Sequence, residues 1–146
     1  MSPAELEASG GSHIVKASIS QTFPNDRPLN GRRGSVLDVN ADEVFSSSSN
    51  LIEGISFLAY YYFDARGLFL IALVPPSIDE GIKTERLLEA KYGSPEREQR
   101  MGREEGASGC IIRRRWRTDS NLITFFNQCG DHFEVRYQPI PAKGGL

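Results

Sequence analysis

The chain is 146 residues long, 39% hydrophobic and 25% charged, which suits one domain with its own core and leaves too little for two comfortable ones. That composition fits neither global disorder nor a fibrous repeat. A formal net charge of −2 argues against wholesale polyanion binding, although it leaves room for a local basic patch.

Met1–Ser12 is polar and acidic, lacks the pattern of a secretory signal, and is expected to be a disordered lead-in (1–12). One α+β domain is expected over 13–140, with 141–146 as a tail. His13–Ser20 alternates loosely and predicts a strand. Gln21–Gly34, with Pro24, Pro28, Gly31 and Gly34, predicts a loop, and Ser35–Asn40 a short strand. The serines Ser46–Ser49 predict a flexible turn.

Ile55–Phe63 and Leu68–Val74 predict the centre of a sheet. Asp64-Ala65-Arg66-Gly67 between them fits a type I turn with Gly67 in the left-handed position of a bulged hairpin. Both faces are apolar, with Ile55, Phe57 and Phe63 on one side and Leu58, Tyr60 and Tyr62 on the other, so both need cover. A helix can cover one. The other needs loops, a second sheet or a partner subunit, which makes a homodimer one option. The charged turn interrupts this apolar region, so it does not read as a membrane span.

Pro75 and Pro76 end the second strand. Ser77 and Glu80 form a capping box, Asp79 adds negative charge to the first turn, and Gly93 and Pro95 stop the helix. This predicts a helix over 77–92 whose apolar side carries Ile78, Leu88 and Tyr92, with Glu85 and Glu89 intruding. Ser94–Gly109 is a charged connection that either extends the next hairpin or stays mobile.

Cys110–Tyr137 reads as three successive strands. Cys110–Arg117 and Leu122–Cys129 flank the turn chemistry of Thr118-Asp119-Ser120-Asn121. A symmetric loop centred on Asp119 and Ser120 sets Cys110 opposite Cys129. A two-residue loop makes them a hydrogen-bonded pair. A four-residue loop makes them a non-hydrogen-bonded pair, closer to the roughly 3.8 Å Cβ separation of a disulfide. A Cys110–Cys129 disulfide is expected, the alternative being two buried thiols packed as small apolar groups. Oxidised, the pair implies a periplasmic or secreted protein; reduced, it leaves the cytoplasm open. After Gly130-Asp131, His132–Gln138 alternates Phe133, Val135 and Tyr137 against His132, Glu134 and Arg136, and Pro139 and Pro141 close the domain. The expected fold is α+β, an antiparallel β-sheet of hairpins and a C-terminal meander packed on one main α-helix at about 77–92.

For function, strand alternation places Arg113, Arg115 and Arg117 on one face and Arg114 and Trp116 on the other. Three guanidiniums in a row could track phosphates or hold an acidic protein partner, and Trp116 and Phe125 could add stacking if exposed. The plainer alternative is a solvated sheet face whose arginines pair with acids such as Glu134. Tyr61, within Tyr60–Phe63, is a further binding candidate, weighed against core packing with its hydroxyl at the rim. His13 and His132 have no second ligand at metal spacing, so neither a metal nor a cofactor is expected, and His132 reads as an exposed histidine. A Cys129–His132 nucleophile would be disarmed by the disulfide, and Gly31-Arg32-Arg33-Gly34 lacks the ending of a phosphate loop. The residues therefore point to a non-catalytic binding module using a basic hairpin face or an aromatic sheet surface. A small nucleic-acid or polyanion binder is the alternative, and an enzyme is unmotivated.

Leu88-Glu89-Ala90-Lys91-Tyr92-Gly93-Ser94-Pro95, followed by Trp116, Ile123 and Val135-Arg136-Tyr137, resembles small uncharacterised bacterial domains, often exported. These place a Lys-Tyr-Gly-x-Pro helix end before a Trp-containing hairpin. The resemblance covers about 51–139. It implies a hairpin–helix–meander α+β fold and carries no active site over. The arginine-rich strand and the cysteine pair lie outside the shared pattern.

Overall fold

The computed structural model describes residues 14–17, 41–101 and 110–140. The expected lead-in, the 21–34 loop, the 35–40 strand, His13 and the tail lie outside them. Eight strands and one helix are described: β1 Ile14–Ala17, β2 Glu43–Ile52, β3 Ile55–Asp64, β4 Gly67–Val74, α1 Ile78–Tyr92, β5 Arg97–Met101, β6 Ile111–Arg117, β7 Asn121–Gln128 and β8 His132–Pro139. All the strands form one antiparallel sheet in the order β1-β2-β3-β4-β8-β7-β6-β5. The fold is thus α+β and mostly sheet. Helix α1 carries the chain from β4, mid-sheet, to β5 at the far edge. The remaining strands then run back inward until β8 pairs with β4 through Ile71–Tyr137, Ala72–Arg136 and Leu73–Val135.

The turns follow their residues. Asp64 and Gly67 close the β3–β4 hairpin, with the Asp64 carboxylate accepting the Arg66 N–H at 2.8 Å and Gly67 at φ 116°. The β6–β7 hairpin takes the two-residue loop, closed by the Thr118 N–H donating to the Asn121 carbonyl at 2.9 Å. Cys110 and Cys129 are therefore a hydrogen-bonded pair, with the Cys129 N–H donating to the Cys110 carbonyl at 3.0 Å. They are joined as a disulfide with Cα atoms 4.6 Å apart. Cys129 sits at φ 55°, where the chain leaves the ladder for the β7–β8 turn.

The serine run is not a turn. Ser46–Ser49 lie inside β2, where Ser46 and Ser47 pair with β1 on one side and β3 on the other. Pairing on both sides and the flanking Val44, Phe45, Leu51 and Ile52 outweigh serine's indifferent strand preference. A register shift between Ser47 and Asn50 is bridged by the Asn50 amide, which donates to the carbonyls of Ser47 (2.7 Å) and Phe57 (3.1 Å).

Helix α1 starts where its cap requires, with the Ser77 hydroxyl accepting the Glu80 N–H at 3.2 Å. It stops at Gly93, which adopts φ 81° while its N–H donates to the Glu89 carbonyl at 2.8 Å. Its buried side keeps Leu88 and Tyr92 of the expected one but not Ile78. Gly81, Thr84 and Leu88 face the sheet, whereas Ile78 is 48% exposed. The contact at Gly81 depends on the missing side chain: a Cβ there would lie within 3.0 Å of three ring carbons of Phe133. Phe133 is itself 2% exposed and has nowhere to go. Gly81→Ala should therefore destabilise by about 1–3 kcal/mol, even though alanine gains up to about 1 kcal/mol in helix propensity. Urea titration checks this, and a stabilised variant would contradict the close packing.

The helix covers one face of the sheet. There Leu88 packs with Ile55, Phe57, Leu73, Trp116, Ile123, Phe125, Phe133 and Val135. The opposite face carries Tyr60 and Tyr62 with Val44, Leu70 and Ala72, all buried. That matches the face assignment read from β3. No membrane-spanning helix occurs among the described residues.

Candidate functional site

The arginines of β6 divide as alternation requires. Arg114 points to the helix side, where its guanidinium meets Glu85 at 2.5 Å, Glu89 at 2.7 Å and Glu98 at 2.7 Å. The two glutamates that seemed to spoil the helix face are thus the partners of the one inward arginine. Burial works against the Arg114 charge, but the Glu98 hydrogen bond and the three carboxylates outweigh it and raise its pKa. Trp116 shares that side. It is 2% exposed and donates its indole N–H to the Gly93 carbonyl at 2.9 Å. Its stacking role required exposure, as did that of Phe125, which is 0% exposed.

Arg113 and Arg115 lie on the face opposite α1, where two rows of side chains cross the strands. One row runs Arg97, Arg115, Thr124, Arg136; the next runs Gln99, Arg113, Phe126, Glu134. Neighbouring strands are about 4.8 Å apart, so each row spans roughly 14 Å at the backbone. Arg97, Gln99, Arg113, Arg115, Thr124, Phe126 and Arg136, with Leu122 and Gln138, line a cleft of about 150 Å³. Thr124 is the short residue between two arginines, and it leaves the space that they enclose. Arg117 lies outside this lining and shares Glu96 with Arg115, at 3.3 and 3.1 Å. Tyr61 is elsewhere, half-buried beside the helix-side core, with its hydroxyl 3.2 Å from Ser47 Oγ.

The cleft is asymmetric in charge. Arg136, 6% exposed, bonds to Glu134 on its own strand and lies over the Phe126 ring at 5.1 Å. Arg113 donates to the amide oxygen of Gln99, a neutral acceptor. Among the described residues, no carboxylate lies within ion-pair distance of Arg97 or Arg113. Arg97 also sits directly across the ladder from Arg115, a like-charge pairing that disfavours the fold.

Beneath the cleft the polar side of β8 is buried. His132 and Glu134 are each 4% exposed, with His132 Nε2 3.7 Å from Glu134 Oε1. The exposed histidine expected at 132 is therefore corrected: this strand face carries a buried polar row in which Glu134 and Arg136 are ion-paired. Burial pushes the Glu134 carboxyl up, but His132 and Arg136 more than reverse this and hold it below its ordinary value. Burial, together with the Glu134 charge, raises the Tyr60 phenol. On the helix side, burial and the neighbouring Tyr92 push Tyr137 to about 12. Among the described residues there is no cluster of three metal-ligating side chains.

Sequence reasoning found Arg113 and Arg115 but missed Arg97, Gln99, Thr124 and Arg136. Arg97 was visible only as one charge in a charged connection, and Arg136 only as part of a polar strand face. No protein-family model, curated protein or solved structure matches the chain.

Proposed function

We propose that the protein is a non-catalytic binding module that holds an acidic group of a partner in the arginine cleft on the face of its sheet opposite α1. The observation that carries this reading is the convergence of Arg97, Arg113, Arg115 and Arg136 on one cleft, with two of the four unanswered by any described carboxylate. Guanidinium forks match carboxylates and phosphates geometrically, and in a partly desolvated cleft they bind more tightly than on open surface. The Cys110–Cys129 disulfide supports an extracytoplasmic setting, since such bonds persist in oxidising compartments. A nucleic-acid platform has less support, because Trp116, Phe125 and Phe126 are buried and offer no stacking surface here.

A glutamate-rich peptide tests the reading. Titrated at low ionic strength, it should bind the native protein and lose at least tenfold in affinity when Arg113→Glu and Arg115→Glu are combined. Arg66→Glu changes a side chain that is 92% exposed in the β3–β4 turn and should leave binding within twofold. Equal losses in both variants would mean attraction to the whole surface, which would defeat the proposal.

A further inference from the structure

We infer that the cleft is built for a compact dianionic oxyanion of the phosphomonoester class, in preference to a single carboxylate. The inference rests on the binding reading above and narrows its ligand. Charge is the first argument. Of the four arginines, Arg136 is answered by Glu134 and Arg115 by Glu96, while no described carboxylate answers Arg97 or Arg113, whose guanidiniums a ligand can neutralise. A phosphomonoester carries about −1.5 to −2 near neutrality and has three acceptor oxygens, enough to engage two forks at once. One carboxylate would neutralise one of them.

Size is the second argument. About 150 Å³ leaves room for one tetrahedral oxyanion among the four guanidiniums. The third is the cost carried without a ligand. Arg97 faces Arg115 across the ladder, and Gln99 gives Arg113 a neutral partner where a carboxylate would stabilise more. A gap in local consistency of this kind marks positions kept for binding, not for folding. Thr124, 7% exposed between Arg115 and Arg136, adds a hydroxyl donor within the same lining. The phosphoryl group could be free phosphate or be carried by a peptide; the recognising chemistry is the same.

Calorimetric titration of the full chain at pH 7.5 and constant ionic strength, with inorganic phosphate, dimethyl phosphate and acetate, tests this. Phosphate should bind at least tenfold tighter than either monoanion. Arg97→Gln and Arg113→Gln should each weaken phosphate at least tenfold, while Arg117→Gln, outside the lining, changes it less than twofold. Both cleft variants should melt at or above the native temperature, because each removes a charge that nothing described neutralises. A phosphoserine peptide that binds no tighter than phosphate identifies the free anion as the ligand; one that binds tighter identifies a phosphorylated partner. Equal affinity for all three anions, or no binding, overturns the inference. If the glutamate-rich peptide still binds through Arg113 and Arg115 and phosphate does not displace it, the binding module stands and the phosphoryl specificity falls. If neither ligand binds, both fall.

Discussion

Arg136→Met should destabilise the protein by about 3–5 kcal/mol at neutral pH, with the deficit shrinking as the pH falls below about 4.5. Arg136 and Glu134 are 6% and 4% exposed, so removing the guanidinium takes away the cation paired with a buried carboxylate. Breaking one side of a buried ion pair costs about 3–5 kcal/mol, largely because the remaining charge stays out of water. The pH dependence follows from the sign of the shift. In the native protein the Glu134 carboxyl is held below its ordinary value of 4.5, since His132 and Arg136 outweigh the burial that would raise it. Its contribution is therefore fully present above that value and is lost as the pH falls through the lowered one. In the variant, burial is no longer opposed by the Arg136 charge, the carboxyl moves upward, and protonation relieves the fold where it penalises the native protein. The two stability curves must converge in acid. Urea midpoints between pH 3.5 and 7.5 read this directly, and a deficit that stays constant across the range would show that Glu134 is not the group left behind.

Trp116→Ala should cost at least as much, about 3–5 kcal/mol for the cavity and about 1 kcal/mol more for the lost hydrogen bond. Trp116 is 2% exposed, shares the helix-side core with Leu88, and donates its indole N–H at 2.9 Å to the Gly93 carbonyl, at the residue where the helix stops. It thus ties β6 to the end of α1. Trp116→Phe separates the two contributions, because it keeps much of the volume and loses the donor, so about 1–2 kcal/mol is expected. Since Trp116 is the single tryptophan, far-UV circular dichroism rather than fluorescence must follow the unfolding. A loss below about 1.5 kcal/mol for the alanine variant would contradict its place in the core.

Much of the fold could be read from local chemistry. Ser77 and Glu80 start the helix, Gly93 stops it, and Asp64 with Gly67 closes the central hairpin, because each signal acts within a few residues. The Cys110–Cys129 pairing also came from register, which a short symmetric loop determines. What local chemistry could not supply was the outcome of competition at a distance. Ser46–Ser49 have no strong preference of their own, and the pairing of Ser46 and Ser47 to β1 and β3 carries the run into a strand. Ile78 looked like a buried anchor, yet the helix seats itself through Gly81, where the absence of a side chain admits Phe133.

The site shows the same division. Alternation separated Arg113 and Arg115 from Arg114 and Trp116, because strand phase is a local property. It could not show that β5 returns beside β6 and brings Arg97 opposite Arg115, or that β8 lies one strand further and contributes Arg136. Nor could it tell a solvent-facing polar row from a buried one. His132, Glu134 and Arg136 alternate like a wet strand face, yet they form a buried polar row at the edge of the cleft.

The most direct test of the cleft is to watch the arginines themselves. Guanidinium Nε–Hε resonances of the full chain, followed by NMR while inorganic phosphate and then the glutamate-rich peptide are added, report on each side chain separately. Shifts concentrated on Arg97, Arg113, Arg115 and Arg136, with Arg66 and Arg117 nearly unmoved, are the expected result. Shifts spread evenly over all the arginines, or confined to Arg66 and Arg117, would contradict a binding site on the face opposite α1.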